Sequence, residues 1–142
     1  MYKYSQRSAS ELATVDVRLQ NLFNFVLKFW DHTIIDGIRT IAEQEKNVAR
    51  GVSKTMDSKH LSGRAIDAMP YPINWDKIEK GLAAVKKVEG GMEVLEAYMF
   101  QGFVAGVAAH MGINIRQGVD WNSNRQFEDQ SFNDIPHTEL VD

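Results

Sequence analysis

Cysteine is absent from the 142 residues, and with it go disulfide frameworks, cysteine nucleophiles and every thiolate metal site. Any metal must therefore be held by His, Asp or Glu. A basic surplus is also missing. The 16 Lys and Arg against 19 Asp and Glu leave a net charge of −3, the wrong balance for a general nucleic-acid binder. No apolar run approaches the ~20 residues that span a bilayer. Met1–Ser10 (MYKYSQRSAS) lacks the apolar core of a secretory peptide. The expectation is a chain made in a cytoplasm without a signal peptide and not inserted into a membrane. Repeats, low-complexity tracts and linkers are lacking too, so 1–142 reads as a single domain of ordinary globular composition.

What is present is helical periodicity interrupted by short β-branched runs. Leu12, Val15, Leu19, Leu22, Phe23, Val26, Leu27 and Trp30 recur at steps of three and four, which predicts one helix capped by Ser8 or Ser10. His32–Asp36 (HTIID) predicts a strand. Thr40 and Glu43 have capping-box spacing, opening a polar helix that stops near Gly51. Residues 52–63 predict an ordered loop, Arg64–Met69 a strand ended by Pro70 and Pro72, and Asn74 the cap of a helix carrying Trp75, Ile78, Leu82 and Val85. After Gly90-Gly91 a long helix is expected, with Met92, Leu95, Met99, Phe103, Val107 and Met111 on its buried side and Gly112 at its end. The methionines read as core fillers. Ile113–Arg116 and Ile135–Leu140 complete the strands. This order predicts an α+β domain, its helices packed on a small antiparallel sheet.

Two segments hold the unusual residues: Ser58-Lys59-His60-Leu61-Ser62-Gly63-Arg64-Ala65-Ile66-Asp67 and Asn133-Asp134-Ile135-Pro136-His137-Thr138-Glu139. They offer the imidazoles and carboxylates that a cysteine-free zinc site must use. His60, Asp67 and His137 would supply two nitrogens and one oxygen, leaving a fourth position for water. Their convergence requires a turn at Gly63. Asp134 and Glu139 both lie near His137, and on chemistry alone either serves as general base. Glu139 shares a strand face with His137, whereas Pro136 hides the direction of Asp134. His32 and His110 read as structural, placed near helix ends where a cation is favoured.

Ser-x-His-x-x-Gly-x-Ala-x-Asp followed by Asp-x-Pro-His-x-Glu resembles the paired signature of a zinc peptidase superfamily. That superfamily groups D-Ala-D-Ala carboxypeptidases, lysostaphin-like enzymes and the hedgehog N-terminal domain. Within it, the chain is most similar to phage and bacterial L-alanyl-D-glutamate endopeptidases, endolysins that cut the peptide stem of peptidoglycan. Ser5–Leu19 resembles their opening helix, Ile34–Gly51 their Gly-x-Arg-Thr-x-x-x-Gln segment, and Gly118–Trp121 their pre-terminal turn.

The resemblance implies His60, Asp67 and His137 as ligands of one zinc ion per chain. It implies Asp134 as the catalytic carboxylate and Arg39 facing the substrate carbonyl, with Glu139 behind a ligand imidazole. Arg39 is also placed to pair with Asp36 or Glu43. Gln44 reads as a hydrogen bonder supporting the site, Ser58 either as an orienter of a ligand or as a loop cap, and Trp121 as a packing aromatic or a substrate platform. The implied function is zinc-dependent hydrolysis of the L-Ala–D-Glu bond of stem peptides by a monomer without a separate wall-binding domain, released through a holin-type lesion. A D-Ala-D-Ala carboxypeptidase is one alternative, although that branch resembles Glu-x-x-His rather than Asp-x-Pro-His. A non-catalytic zinc module binding cell wall or protein is another, against which Asp134 and the full ligand set speak.

Overall fold

Four strands, β1 (His32–Asp36), β2 (Ala65–Pro70), β3 (Ile115–Gln117) and β4 (His137–Leu140), form one antiparallel sheet in the order β1–β2–β4–β3. The computed structural model describes residues 1–76, 78, 92–124, 126–127 and 129–141. Among the described residues, helices α1 (Gln6–Leu12), α2 (Val17–Val26), α3 (Ile41–Ala49) and α4 (Met92–His110) accompany the sheet. A 3₁₀ turn spans Lys59–Ser62. The expected α+β class and antiparallel sheet are both present. Among the described residues, no helix is long and apolar enough to cross a membrane.

Alternation along the strands divides the sheet into two faces. Ile34, Ile66, Ala68 and Leu140 meet Leu19, Leu22, Phe23 and Val26 of α2 and Phe100, Val104 and Ala108 of α4 in the main core. Each large side chain fully buried there contributes roughly 1.5–3 kcal/mol. Buried Gln101 ties α4 to the sheet's polar edge, donating to the Ile135 carbonyl at 2.6 Å. The opposite face, carrying the odd-numbered residues of β2 and β4, holds the chemistry.

The single N-terminal helix expected from periodicity is two helices. Asp16 caps the second, accepting from the Arg18 amide at 2.9 Å, while its own amide donates to the Gly63 carbonyl at 2.8 Å. That tertiary bond replaces a rung of the helical ladder. The apolar stripe runs unbroken through the joint because Leu12, Val15 and Leu19 all bury. Ser5, not Ser8 or Ser10, caps α1, with its Oγ accepting from the Ser8 amide at 3.1 Å. Ser8 is buried within the helix and reaches the Ile34 carbonyl.

The buried side of α4 also differs from expectation. Leu95 and Met99 are 51% and 65% exposed, and Met111 is exposed as well, while Val94, Ala97, Phe100, Gln101, Val104 and Ala108 are buried. This helix is apolar around most of its circumference, so periodicity gave no reliable direction. Small Ala97, Val104 and Ala108 sit against the core because a close approach to the sheet admits them. Met99 and Met111 are therefore not core fillers, although Met69 is.

Other boundaries follow local chemistry. The Thr40–Glu43 capping box forms, and α3 ends just before Gly51. Strand β4 begins at His137 rather than Ile135, since Asp134–Pro136 turn into it, with the His137 amide donating to the Asp134 carbonyl at 3.0 Å. Residues 75, 76 and 78 are helical, as expected after Asn74. Leu82, Val85 and the Gly90-Gly91 break lie outside the described residues.

Candidate metal centre and active-site cleft

Strand register assembles the site as two rows across one sheet face. Asp36 opposes Asp67, which opposes His137; Ala65 opposes Glu139, which opposes Arg116. A register shift between Ile34 and Asp36 inserts an extra residue in β1 and brings Asp36 level with Asp67. His60 arrives from outside the sheet, on the 3₁₀ turn. Gly63 closes that turn with φ 67°, the left-handed conformation expected of the residue on which convergence depends.

The three ligand atoms form a nearly equilateral triangle. His60 Nε2 lies 3.2 Å from Asp67 Oδ1 and 3.2 Å from His137 Nδ1, and the third edge is 3.3 Å. A tetrahedral ion bound at ~2.0–2.1 Å spaces its ligands by roughly 3.3–3.4 Å. The triangle therefore fits such an ion without rearrangement. All three residues are buried, and together they form a group that could hold a metal ion.

Each of the three side chains is also held from behind, which selects the atom it would offer to a metal. His60 Nδ1 is 2.6 Å from the Gly37 carbonyl, so its proton belongs there and the Nε2 lone pair faces the triangle. His137 Nε2 is 3.1 Å from Glu139 Oε2, freeing Nδ1. Asp67 Oδ2 accepts from Arg39 Nη2 at 2.7 Å, leaving Oδ1.

The electrostatics favour positive charge at the triangle. Burial opposes ionisation of Asp67, but hydrogen bonds with His137 and His60 outweigh it and hold the carboxyl far below the usual range. Burial likewise opposes a charged His137, yet hydrogen bonds with Asp67 and Glu139 lift it to about 9. Glu139 stays low because His137 and Arg116 overcome its desolvation. Asp134 behaves oppositely. Burial, reinforced by the Asp67 carboxylate, raises it to about 6, the direction expected of a carboxylate poised to exchange protons near neutrality.

A cleft of about 670 Å³ opens over the triangle, lined among others by Arg39, Ser58, Trp121, Asp134 and Glu139. Gly118 fixes its Asp134 wall. The Gly118 carbonyl accepts from the Asp134 amide at 2.9 Å, and the Gly118 amide donates to the His137 carbonyl at 3.0 Å. A Cβ at Gly118 would stand 2.2 Å from the Asp134 carbonyl oxygen, so only glycine permits this approach.

The remaining sequence candidates take defined places. Arg39 pairs with Asp36 through Nε as well as with Asp67, so one guanidinium links β1 to a ligand carboxylate. Gln44 is buried and donates to Ser53 Oγ at 2.8 Å and the Thr55 carbonyl at 2.6 Å, supporting the loop that walls the cleft. Ser58 caps the 3₁₀ turn by accepting from the His60 amide at 3.3 Å. Trp121 packs its ring 5.1 Å from that of His137 and donates to the Phe132 carbonyl at 2.9 Å. His110 is exposed at the end of α4 and is not part of the His60–Asp67–His137 group. His32 is structural but not as a helix-end cation, because burial lowers its pKa. Arg116 carries no short-range motif; only the β3–β4 register reveals its pairing with Glu139.

Comparison with known proteins agrees with this architecture. A crystal structure of the Serratia marcescens L-Ala D-Glu endopeptidase ChiX superposes with a TM-score of 0.68 at 22% identity, covering 99% of this chain and 90% of that one. It shares the fold. The L-alanyl-D-glutamate peptidase of Escherichia phage T5 is 34% identical over 152 aligned positions, covering 99% of this chain and 98% of that protein. The family model for phage L-alanyl-D-glutamate peptidase matches residues 1–141. With the family model matching nearly the whole chain and a relative 34% identical along its full length, the chain belongs to the phage L-alanyl-D-glutamate peptidase family.

Proposed function

We propose that His60, Asp67 and His137 hold one zinc ion and that the cleft hydrolyses the L-Ala–D-Glu amide of peptidoglycan stem peptides, with Asp134 as general base. The carrying observation is the 3.2–3.3 Å ligand triangle, each corner fixed by a second partner. The family membership and the full-length phage relative support the substrate. Bound zinc would lower the pKa of water toward ~7 and polarise the scissile carbonyl.

The chain's own residues do the rest. Asp134, with its pKa lifted to about 6, takes a proton from the attacking water and delivers it to the leaving D-glutamate amine. Arg39 has two tasks. It turns Asp67 Oδ1 toward the metal position, and it places a permanent positive charge beside the carbonyl oxygen as negative charge develops there. Asp36 and Asp67 share that charge, so ligand orientation is the larger effect. Glu139 orients His137, and Trp121 shields the imidazole from water. In this reading the enzyme acts as a monomer and reaches the wall after release through a holin-type lesion.

Digestion of purified sacculi followed by mass spectrometry tests the bond assignment. Fragments with a new N-terminal D-glutamate or D-isoglutamine, over intact glycan strands, are expected. Loss of a terminal D-alanine alone would move the activity to the carboxypeptidase branch.

A further inference from the structure

We propose that Arg116 is a positioning residue for His137, acting through a closed ring of four side chains that also contains Glu139 and Trp121. The inference rests on the zinc reading above and adds a residue to it. Strand geometry builds the ring. Alternation places His137 and Glu139 on the same face of β4, and the β3–β4 register sets Arg116 directly opposite Glu139. The turn after β3 then carries Trp121 back over His137, with the Asp120 amide donating to the Gln117 carbonyl at 3.0 Å.

Four contacts close the ring. Arg116 Nε donates to Glu139 Oε1 at 2.8 Å, and Nη2 reaches the same oxygen. The other oxygen, Oε2, takes His137 Nε2 at 3.1 Å. The His137 ring lies 5.1 Å from Trp121 at an interplanar angle of 35°. The Arg116 guanidinium returns over Trp121 at 5.5 Å.

Neither restraint on His137 suffices alone. The hydrogen bond allows the imidazole to turn about the N–O line, and the ring contact allows it to slide in its own plane. Together they fix plane and direction, so Nδ1 meets His60 Nε2 and Asp67 Oδ1. Arg116 is common to both restraints. It also neutralises a Glu139 side chain that is only 5% exposed. Opposite Glu139 on the other side stands Ala65, whose methyl group offers that carboxylate no partner. Released from Arg116, Glu139 is drawn toward the metal, where it would disturb His137 or occupy the position reserved for water.

Full-length wild type, Arg116→Ala, Arg116→Lys, Glu139→Gln and the Arg116→Ala/Glu139→Gln double variant would be compared. Zinc affinity is read by competition with a chromophoric chelator, and ligand geometry by the visible absorption of the Co²⁺-substituted proteins. Arg116→Ala should raise the zinc dissociation constant 10–100-fold, the usual scale for an outer-shell partner, and shift the cobalt bands. Arg116→Lys should recover part of the affinity, since it keeps the charge but not the planar fork and stack. In the Glu139→Gln background, Arg116→Ala should cost far less. Wild-type affinity and an unchanged cobalt spectrum in Arg116→Ala would overturn the proposal, as would an equal loss with and without Glu139. A wild-type protein that takes up no zinc overturns the metal reading and this one together, whereas zinc uptake with an indifferent Arg116→Ala overturns this one alone.

Discussion

Asp67 and His137 face each other across the β2–β4 ladder, with Asp67 Oδ1 and His137 Nδ1 3.3 Å apart although 70 residues separate them in the chain. One register step would send both side chains to the helix-covered face. The candidate metal centre is therefore as secure as the strand pairing, which the core residues Ile66 and Leu140 support from the other face.

The metal content follows from this pairing. Purified protein should carry about one zinc per chain, and chelation should abolish activity until zinc is restored. His60→Ala and His137→Ala should lose the metal, while exposed His110→Ala keeps it. Elemental analysis decides. Equal loss from all three would break the assignment.

Asp134→Asn keeps the shape of the cleft and removes the proton acceptor. Zinc content and melting temperature should stay near wild type while turnover falls by roughly 10²–10⁴. Glu139→Gln should cost less turnover and weaken zinc binding, because Glu139 bonds His137 at Nε2, opposite the Nδ1 atom of the triangle. If instead Glu139→Gln is dead with zinc bound and Asp134→Asn is active, the two roles are exchanged.

Two glycines should respond in opposite directions to alanine. Gly118→Ala drives a Cβ into the Asp134 carbonyl and should cost roughly 1–3 kcal/mol, with activity lost before the fold. Gly106 lies inside α4 with nothing within 4 Å of its Cβ position. Gly106→Ala should therefore stabilise by about 0.5–1 kcal/mol through helix propensity. Urea denaturation measures both, and similar shifts would mean the Gly118 approach is not tight.

Acid should weaken the fold partly through His32. Its ring lies in the core against Phe23 and Phe100, with Nε2 2.7 Å from the Tyr4 hydroxyl and Nδ1 2.8 Å from the Trp30 carbonyl. Burial lowers its pKa from the ordinary 6.5, partly offset by the Trp30 hydrogen bond and Asp31. The unfolded chain thus binds this proton more tightly than the folded one. The stability is complete above the ordinary value and declines as pH falls toward the folded one. His32→Gln should be less stable at neutral pH yet lose less between about pH 7 and pH 5, because it lacks the buried imidazole whose pKa is lowered by folding. Parallel pH profiles would remove His32 from the explanation.

Much of this protein is determined by residues near one another in the chain. The Thr40–Glu43 cap, the β-branched run of β1, the turn at Gly63 and the absence of cysteine act over a few residues, and each kept its sequence meaning. His60, Asp67, His137 and Asp134 were legible as candidates from the two segments that carry them, but only the fold brings the first three within 3.3 Å of one another beside a cleft that Asp134 lines. Tertiary structure decided what depends on distant partners. The Asp16 amide left the helical ladder for the Gly63 carbonyl, and the largely apolar α4 chose its buried side by fit against the sheet. Arg116 gained its place only when β3 aligned with β4. Short-range hydrogen bonds and steric limits are written into neighbouring residues, whereas strand register and helix facing come from packing surfaces that meet only after the chain has folded.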